Sequence, residues 1–246
     1  MIPPSELTKS QIDRLGDRLR KGPVHDDDLQ LLDSYRRSFR KGYEKVVTVI
    51  REQMGIEPTG RPQKTRTAII EKLRRQNTRL SQMQDIAGCR IVVTDVPTQD
   101  ELVERLRGVF TQLQIDDRRK QPSHGYRAVH AIIQESGKLI EVQVRTSLQH
   151  LWAEVSEKLS DIDPLIKYGR GDQDMLLVLD VMSKNICGQE IDEATHFTIM
   201  NSDDLSPDEE FKEAPRIVEI LGRRVGIVSM LEAVREVFLR MKGPKR

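Results

Sequence analysis

The sequence predicts an α/β chain of the α+β kind, with helices before and after a strand-bearing core. Three observations carry this. Two apolar runs, residues 128–133 and 139–144, flank Glu135, Ser136, Gly137 and Lys138, the pattern of a β-hairpin closed by a short glycine turn. The apolar run 89–93 reads as a buried strand, and Leu102, Val103, Leu106, Val109, Phe110 and Leu113 follow it at helical spacing. Apolar residues at that same spacing recur along both flanks of the chain.

The second hairpin strand is the most informative stretch. Glu141, Gln143 and Arg145 alternate with Ile140, Val142 and Val144. Successive side chains on a strand point to opposite faces, so the three polar groups share one face and the three apolar groups the other. A carboxylate, an amide and a guanidinium in a row suit a metal, a ribose and a phosphate. The wet face of any half-exposed strand shows the same alternation.

Composition bounds the rest. With 246 residues, 37% hydrophobic and 32% charged, the chain can bury a sizeable core and keep a polar surface. No run approaches the roughly 20 apolar residues a membrane helix needs, and the N-terminus lacks a basic-then-apolar export pattern. Two distant cysteines, Cys89 and Cys187, fit a reducing, cytoplasmic setting. A net charge of +1 gives no global pull toward nucleic acid, so any polyanion contact comes from a local patch. No histidine stands in a metal-binding spacing, and no Gly-x-Ser-x-Gly or Walker pattern is present.

In chain order, Thr8 and Gln11 form a capping box before Ile12, Leu15 and Leu19. Gly22-Pro23 ends that helix. Asp26, Asp27 and Asp28 open a second helix, expected to run on to about Gly55, with Arg36, Arg37, Arg40, Lys41 and Lys45 on its basic face. Residues 57–60 read as a linker. The next helix carries Ile69, Ile70 and Leu73. Lys64 and Lys72 lie two turns apart, so both ammoniums can point one way toward a phosphate chain. Asp85, just before a core strand, is either a Mg²⁺ ligand or a turn residue bonding its own backbone. Thr98 with Glu101 is expected to cap the following helix. Residues 115–125 read as a mobile basic loop whose Arg118, Arg119 and Lys120 can close over phosphates. Tyr126 can offer its ring to a planar base. Leu148, Leu151, Trp152, Val155 and Leu159 mark a core helix starting near Thr146. The tail reads as helices over 175–186, 217–221 and 225–241, the last two separated at Gly222 and Gly226, with a loop at 201–207 and no chemistry of its own. It can complete the core or pair with another subunit as a homo-oligomer.

Five of these segments, in order, resemble the motifs of the RelA/SpoT synthetase family. MQDIAGCRIVV is similar to its Asp-x-x-Gly-x-Arg motif, HGYRAVH to its Gly-Tyr-Arg-x-x-His motif and IEVQVRT to its Glu-x-Gln-x-Arg-Thr motif. KTRTAIIEKL resembles its Lys-x-x-x-Ser-Ile-x-x-Lys helix, and LQHLWAEVSEKL its Trp-Ala helix. The set covers Lys64 to about Leu159. Arg61 stands one position before the family's first arginine, with Pro62 in that place, and Ala68 replaces the serine.

The resemblance implies a nucleotidyltransferase-like fold, a mixed β-sheet flanked by helices. It divides the chain into an N-terminal helical extension (1–60), a synthetase core (61–160) and a C-terminal helical extension (161–246), as in the small single-domain alarmone synthetases. It implies transfer of pyrophosphate from ATP to the 3′-hydroxyl of GDP or GTP, giving (p)ppGpp. Asp85 would hold Mg²⁺. Glu141 would be a second metal ligand or the base at the acceptor hydroxyl. Lys64, Lys72, Arg61 and Arg90 would bind ATP, with Arg90 stacked on adenine. Tyr126 would stack on the acceptor base, and Lys120, Arg127, His130, Gln143 and Arg145 would complete the site. Some small members resemble toxins that modify the tRNA 3′ end. In that alternative the basic helix and the loop arginines would grip RNA backbone. Adenosine alarmones are a further product the family allows.

Overall fold

The computed structural model describes residues 7–200 and 207–241. Its elements are α1 (Lys9–Lys21), α2 (Asp26–Arg37), α3 (Arg40–Met54), β1 (Thr59–Arg61), α4 (Arg66–Arg75), β2 (Ala87–Val93), α5 (Val96–Val109), β3 (Leu113–Asp117), β4 (Val129–Glu135), β5 (Lys138–Thr146), α6 (Ser147–Ile162), α7 (Gln173–Met200) and α8 (Pro207–Met241). The strands form one mixed sheet in the order β1-β2-β5-β4-β3, flanked by helices, as the fold class requires.

Local chemistry explains most element ends. The Thr8–Gln11 capping box starts α1, and a second one, Thr146–Gln149, starts α6 directly behind β5. The β4–β5 turn places Ser136 at φ 50° and Gly137 at φ 71°, the left-handed pair that suits the twist of a tight hairpin.

Five expectations need correction. The single helix from Asp26 to about Gly55 is two helices, broken at Ser38 and Phe39. The Ser38 hydroxyl donates to the Tyr35 carbonyl at 2.6 Å, a local bond that competes with the helical ladder. Helix α5 starts at Val96, and the carboxylate of Asp95, not Thr98, accepts the Thr98 amide at 2.9 Å. The stretch 57–60 is not only a linker: Thr59, Gly60 and Arg61 pair antiparallel with Arg90, Cys89 and Gly88. The basic loop is partly strand, since its first residues belong to β3. Helix α8 runs unbroken through Gly222 and Gly226. The loop expected at 201–207 falls largely outside the described residues.

Contacts divide the chain into two compact units. The first comprises Met1–Ile91, Arg105–Asp116 and His130–Gln143. Its core is Leu15 and Leu19 of α1, Leu32 of α2, Ile50 of α3, Ile69 and Leu73 of α4, and Ile140 of β5, all essentially sealed from solvent. Here α1 sits tightly on the turn at Leu80: a Cβ on Gly16 would come within 2.8 Å of the Leu80 Cβ. The second unit comprises Val92–Glu104, Asp117–Val129 and Val144–Arg246. Its core joins Leu148, Trp152, Val155 and Leu159 of α6 to Leu179, Met182 and Ile186 of α7 and Leu231 of α8. Trp152 is therefore a core residue, as its spacing predicts, and its indole N–H donates to the Leu179 carbonyl at 2.9 Å. No helix among the described residues is long and apolar enough to cross a membrane.

Candidate active site

The polar face of β5 is not a wet face. Glu141 and Arg145 are 7% and 4% exposed, as deeply placed as the apolar residues between them. Burying a carboxylate without partners costs several kcal/mol, so the surroundings must supply them. For Glu141 they come from its own unit. The imidazole Nδ1 of His130 on β4 donates to Oε1 at 2.8 Å, and Gln143 Nε2 donates to Oε2 at 2.7 Å. Burial pushes the Glu141 carboxyl up, but these two donors outweigh it and the net shift is downward. The negative charge of Asp85 pushes the other way.

Asp85 lies just before β2 and takes two lysines. Lys64 Nζ donates to Oδ2 at 2.5 Å and Lys72 Nζ to Oδ1 at 2.9 Å. The expected convergence of these ammoniums is present, by a different route. Helix α4 begins only at Arg66, with Thr65 as its cap, so Lys64 reaches in from the segment before the helix while Lys72 projects from its second turn. The Lys64 amide is fixed by the Ile86 carbonyl at 2.7 Å. Burial raises the Asp85 carboxyl, but the two ammoniums hold it down to about 2. Burial also lowers Lys64, against the pull of Asp85. A partly buried aspartate with a lysine on each oxygen is poised for exchange, because a phosphate chain can take the ammoniums and leave the carboxylate to a cation.

Gly88 brings β2 against β5. A Cβ there would stand 2.5 Å from the Glu141 carbonyl oxygen, so only glycine allows this approach. Arg90 is half-buried opposite Thr59, and Arg61 is exposed at the end of β1 opposite Gly88.

The remaining residues expected at the site lie in the second unit. The Tyr126 ring has the Arg145 guanidinium 5.1 Å from its centroid and that of Arg118 at 6.0 Å. Its hydroxyl accepts from Arg145 Nη2 at 3.0 Å. Gly125, at φ 85°, turns the chain just before it. Lys120 is exposed. Two expectations change here. Arg119 does not wait to close over a phosphate. It pairs with Asp117 at 2.8 Å and Asp100 at 2.7 Å and donates to Gln99 Oε1 at 3.1 Å. Arg127 donates to the Arg119 carbonyl at 2.6 Å and to Ser183 Oγ at 3.3 Å, so it braces the loop. Ser183 and Glu190, both on α7, are polar residues of this neighbourhood that sequence reading missed. They are buried polar positions in an otherwise core-like helix, a signal that periodicity alone does not flag.

The basic face of α2 and α3 is largely matched by acids within its unit. Arg36 pairs with Asp33, Arg40 with Glu44 and Lys45 with Glu135. Among the described residues no group of three or more His, Cys, Asp or Glu side chains stands together as a metal cage. The acid pair Asp85 and Glu141 nonetheless supplies the hard oxygen donors Mg²⁺ prefers when substrate phosphates and water complete its shell.

Residues 60–160 match the region found in RelA/SpoT proteins. An uncharacterised protein of Mycobacterium tuberculosis is 38% identical over 112 residues, which is 44% of this chain and 39% of that protein. The GTP pyrophosphokinase YjbM of Bacillus subtilis is 31% identical over 107 residues, 38% of this chain and 51% of the relative. The chain thus spans about half the length of these relatives, or less. The crystal structure of small alarmone synthetase 1 from Bacillus subtilis, bound to its product pppGpp, matches with a TM-score of 0.53. That match covers 70% of this chain and 100% of the other at 20% identity, a likeness of fold. Residues 60–160 are thus similar to the region found in RelA/SpoT proteins, and the fold is like that of a small alarmone synthetase.

Proposed function

We propose that the protein is a cytoplasmic, ATP-dependent pyrophosphokinase that transfers the β,γ-pyrophosphate of ATP to the 3′-hydroxyl of GDP or GTP. The observation that carries this reading is the pair of sequence-distant acids. Asp85, held by Lys64 and Lys72, stands three residues before Gly88, which packs on the Glu141 backbone, and Glu141 is buried between His130 and Gln143. Pyrophosphoryl transfer needs charge neutralisation and alignment rather than a covalent intermediate. In this reading Lys64 and Lys72 exchange Asp85 for ATP phosphate oxygens, and Arg61 and Arg90 hold the rest of ATP. Tyr126 stacks on the acceptor base, with Arg145 and Lys120 on acceptor phosphates. Asp85 and Glu141 would hold Mg²⁺, which when bound neutralises the charge developing on the transferred group. The lowered pKa keeps Glu141 ionised at neutral pH, which suits an orienting carboxylate better than a strong base.

The test is transfer of label from γ-labelled ATP with Mg²⁺ to GDP, GTP, ATP or deacylated tRNA, each offered separately. Label on GDP or GTP is the expected result. Label on tRNA alone moves the protein to the tRNA-modifying class, and no transfer to any acceptor overturns the reading. Asp85→Asn and Glu141→Gln are each expected to reduce transfer by at least about a thousandfold with the fold retained, the scale on which removing a key electrostatic group acts. Near-wild-type rates for either would remove that residue from the mechanism.

A further inference from the structure

Helix α7 lies outside the matched segment, yet its Ser183 grips the loop that carries Tyr126 on both sides, at Gly125 and Arg127, and its Glu190 holds the start of α6. Ser183 and Glu190 are seven residues apart, two helical turns, and therefore share a face. They are 3% and 6% exposed. Ser183 Oγ donates to the Gly125 carbonyl at 2.6 Å and accepts from Arg127 Nε at 3.3 Å. Arg127 donates to the Arg119 carbonyl, and Arg119 donates to Gln99 Oε1. Gln99 Nε2 donates to Gln149 Oε1 at 3.0 Å and to the Val144 carbonyl at 2.8 Å. Gln149 Nε2 donates to both Glu190 oxygens at 3.1 Å, and the Thr146 hydroxyl donates to Glu190 Oε1. The chain of bonds leaves α7 at Ser183 and returns to it at Glu190.

This ring is more than packing needs. The neighbouring α7 residues Leu179, Met182 and Ile186 form the apolar core, and an apolar residue at 183 or 190 could extend it. Buried polar groups are retained at a cost unless fully bonded, and here each link bonds the next. What the ring encloses is specific. Tyr126 lies between Gly125 and Arg127, both held by Ser183, and a Cβ on Gly125 would meet Trp152 at 2.8 Å and the Ser183 Cβ at 3.2 Å. The turn is pressed onto α6 and α7 and bolted there.

We infer that Ser183 and Glu190 are positioning residues for the acceptor nucleotide: α7 sets the affinity for the acceptor by fixing the loop that presents Tyr126. This rests on the assignment of Tyr126 to the acceptor base made above. The test uses the full chain with Ser183→Ala, varying ATP and acceptor separately, and hydrogen exchange without nucleotide. Ser183→Ala removes the short bond to the Gly125 carbonyl and the longer one from Arg127, and losing a buried hydrogen bond is worth about tenfold. The KM for the acceptor is expected to rise about tenfold, with the KM for ATP within about twofold of wild type. Backbone amides of residues 118–127 are expected to exchange about tenfold faster, with those of α1 to α4 unchanged. Combined with Arg127→Ala, the effect of Ser183→Ala should be less than additive, since the two share one bond. Glu190→Gln reads the ring from its other end and should give the same split if Ser183→Ala fails to fold. An unchanged acceptor KM, or equal rises in both KM values, overturns the inference. If the wild type transfers nothing, the pyrophosphokinase reading fails on its own. The exchange experiment then still decides the loop: faster exchange upholds the anchoring, and unchanged exchange ends it.

Discussion

Asp85, partly buried, and Glu190, buried, are carboxylates with opposite electrostatic histories, and pH separates them. Burial raises Asp85, but Lys64 and Lys72 bring it from its ordinary 3.8 to about 2. Its folded-state pKa is below its unfolded one, so it stabilises the fold above about pH 4, by about 2 kcal/mol, and this is lost as pH falls through about 2. Among the described residues no cation is bonded to Glu190. Burial raises its carboxyl, and the bonds from Thr146 and Gln149 only partly offset this. A raised carboxylate works the other way: the folded state holds its proton more tightly, so stability falls as pH rises from the ordinary glutamate range through the raised value. Denaturant titrations across pH should show both slopes. Asp85→Asn should flatten the acid slope and Glu190→Gln the one above it. An unaltered profile in either variant would remove that carboxylate from the balance.

Among the elements, β5 shows how far the sequence could be read. Its alternation placed Glu141, Gln143 and Arg145 on one face, and Ser136-Gly137 marked its turn, because strand periodicity and turn chemistry are local properties. Whether that face was wet or buried was not local. It depends on what packs over the strand, and the answer, nearly complete burial of two ionisable residues, came only with the fold. The same limit explains the missed α7 residues: Ser183 and Glu190 take their hydrogen-bond partners from 41 to 58 positions away. The short strand β1 escaped because three residues carry no periodic signal. Gly88 gives an element-scale prediction. Gly88→Ala would set a methyl 2.5 Å from the Glu141 carbonyl oxygen and force the strands apart, so a loss of about 2 to 4 kcal/mol in stability is expected. A thermal melt indistinguishable from wild type would show that the strands have slack the geometry does not reveal.

For the whole molecule, the boundary of the segment that matches RelA/SpoT proteins is not a boundary of the core. Residues 60–160 end inside α6, while the cluster around Trp152 is completed by Leu179, Met182 and Ile186 of α7 and Leu231 of α8. Removing those partners would expose one face of α6 and leave the Trp152 N–H without its carbonyl. A fragment of residues 60–160 is therefore expected not to reach a fixed fold, and near-ultraviolet circular dichroism would show the loss of the ordered indole signal. A sharp cooperative melt of that fragment would mean the C-terminal helices are dispensable. Trp152 is the single tryptophan of the chain, sealed from water and resting on the backbone of Gly125. The protein thus carries its own optical gauge beside the residue proposed to stack on the acceptor. A nucleotide that shifts that turn changes the emission of one indole, and binding can be followed by light alone, with no dye, no label and no turnover.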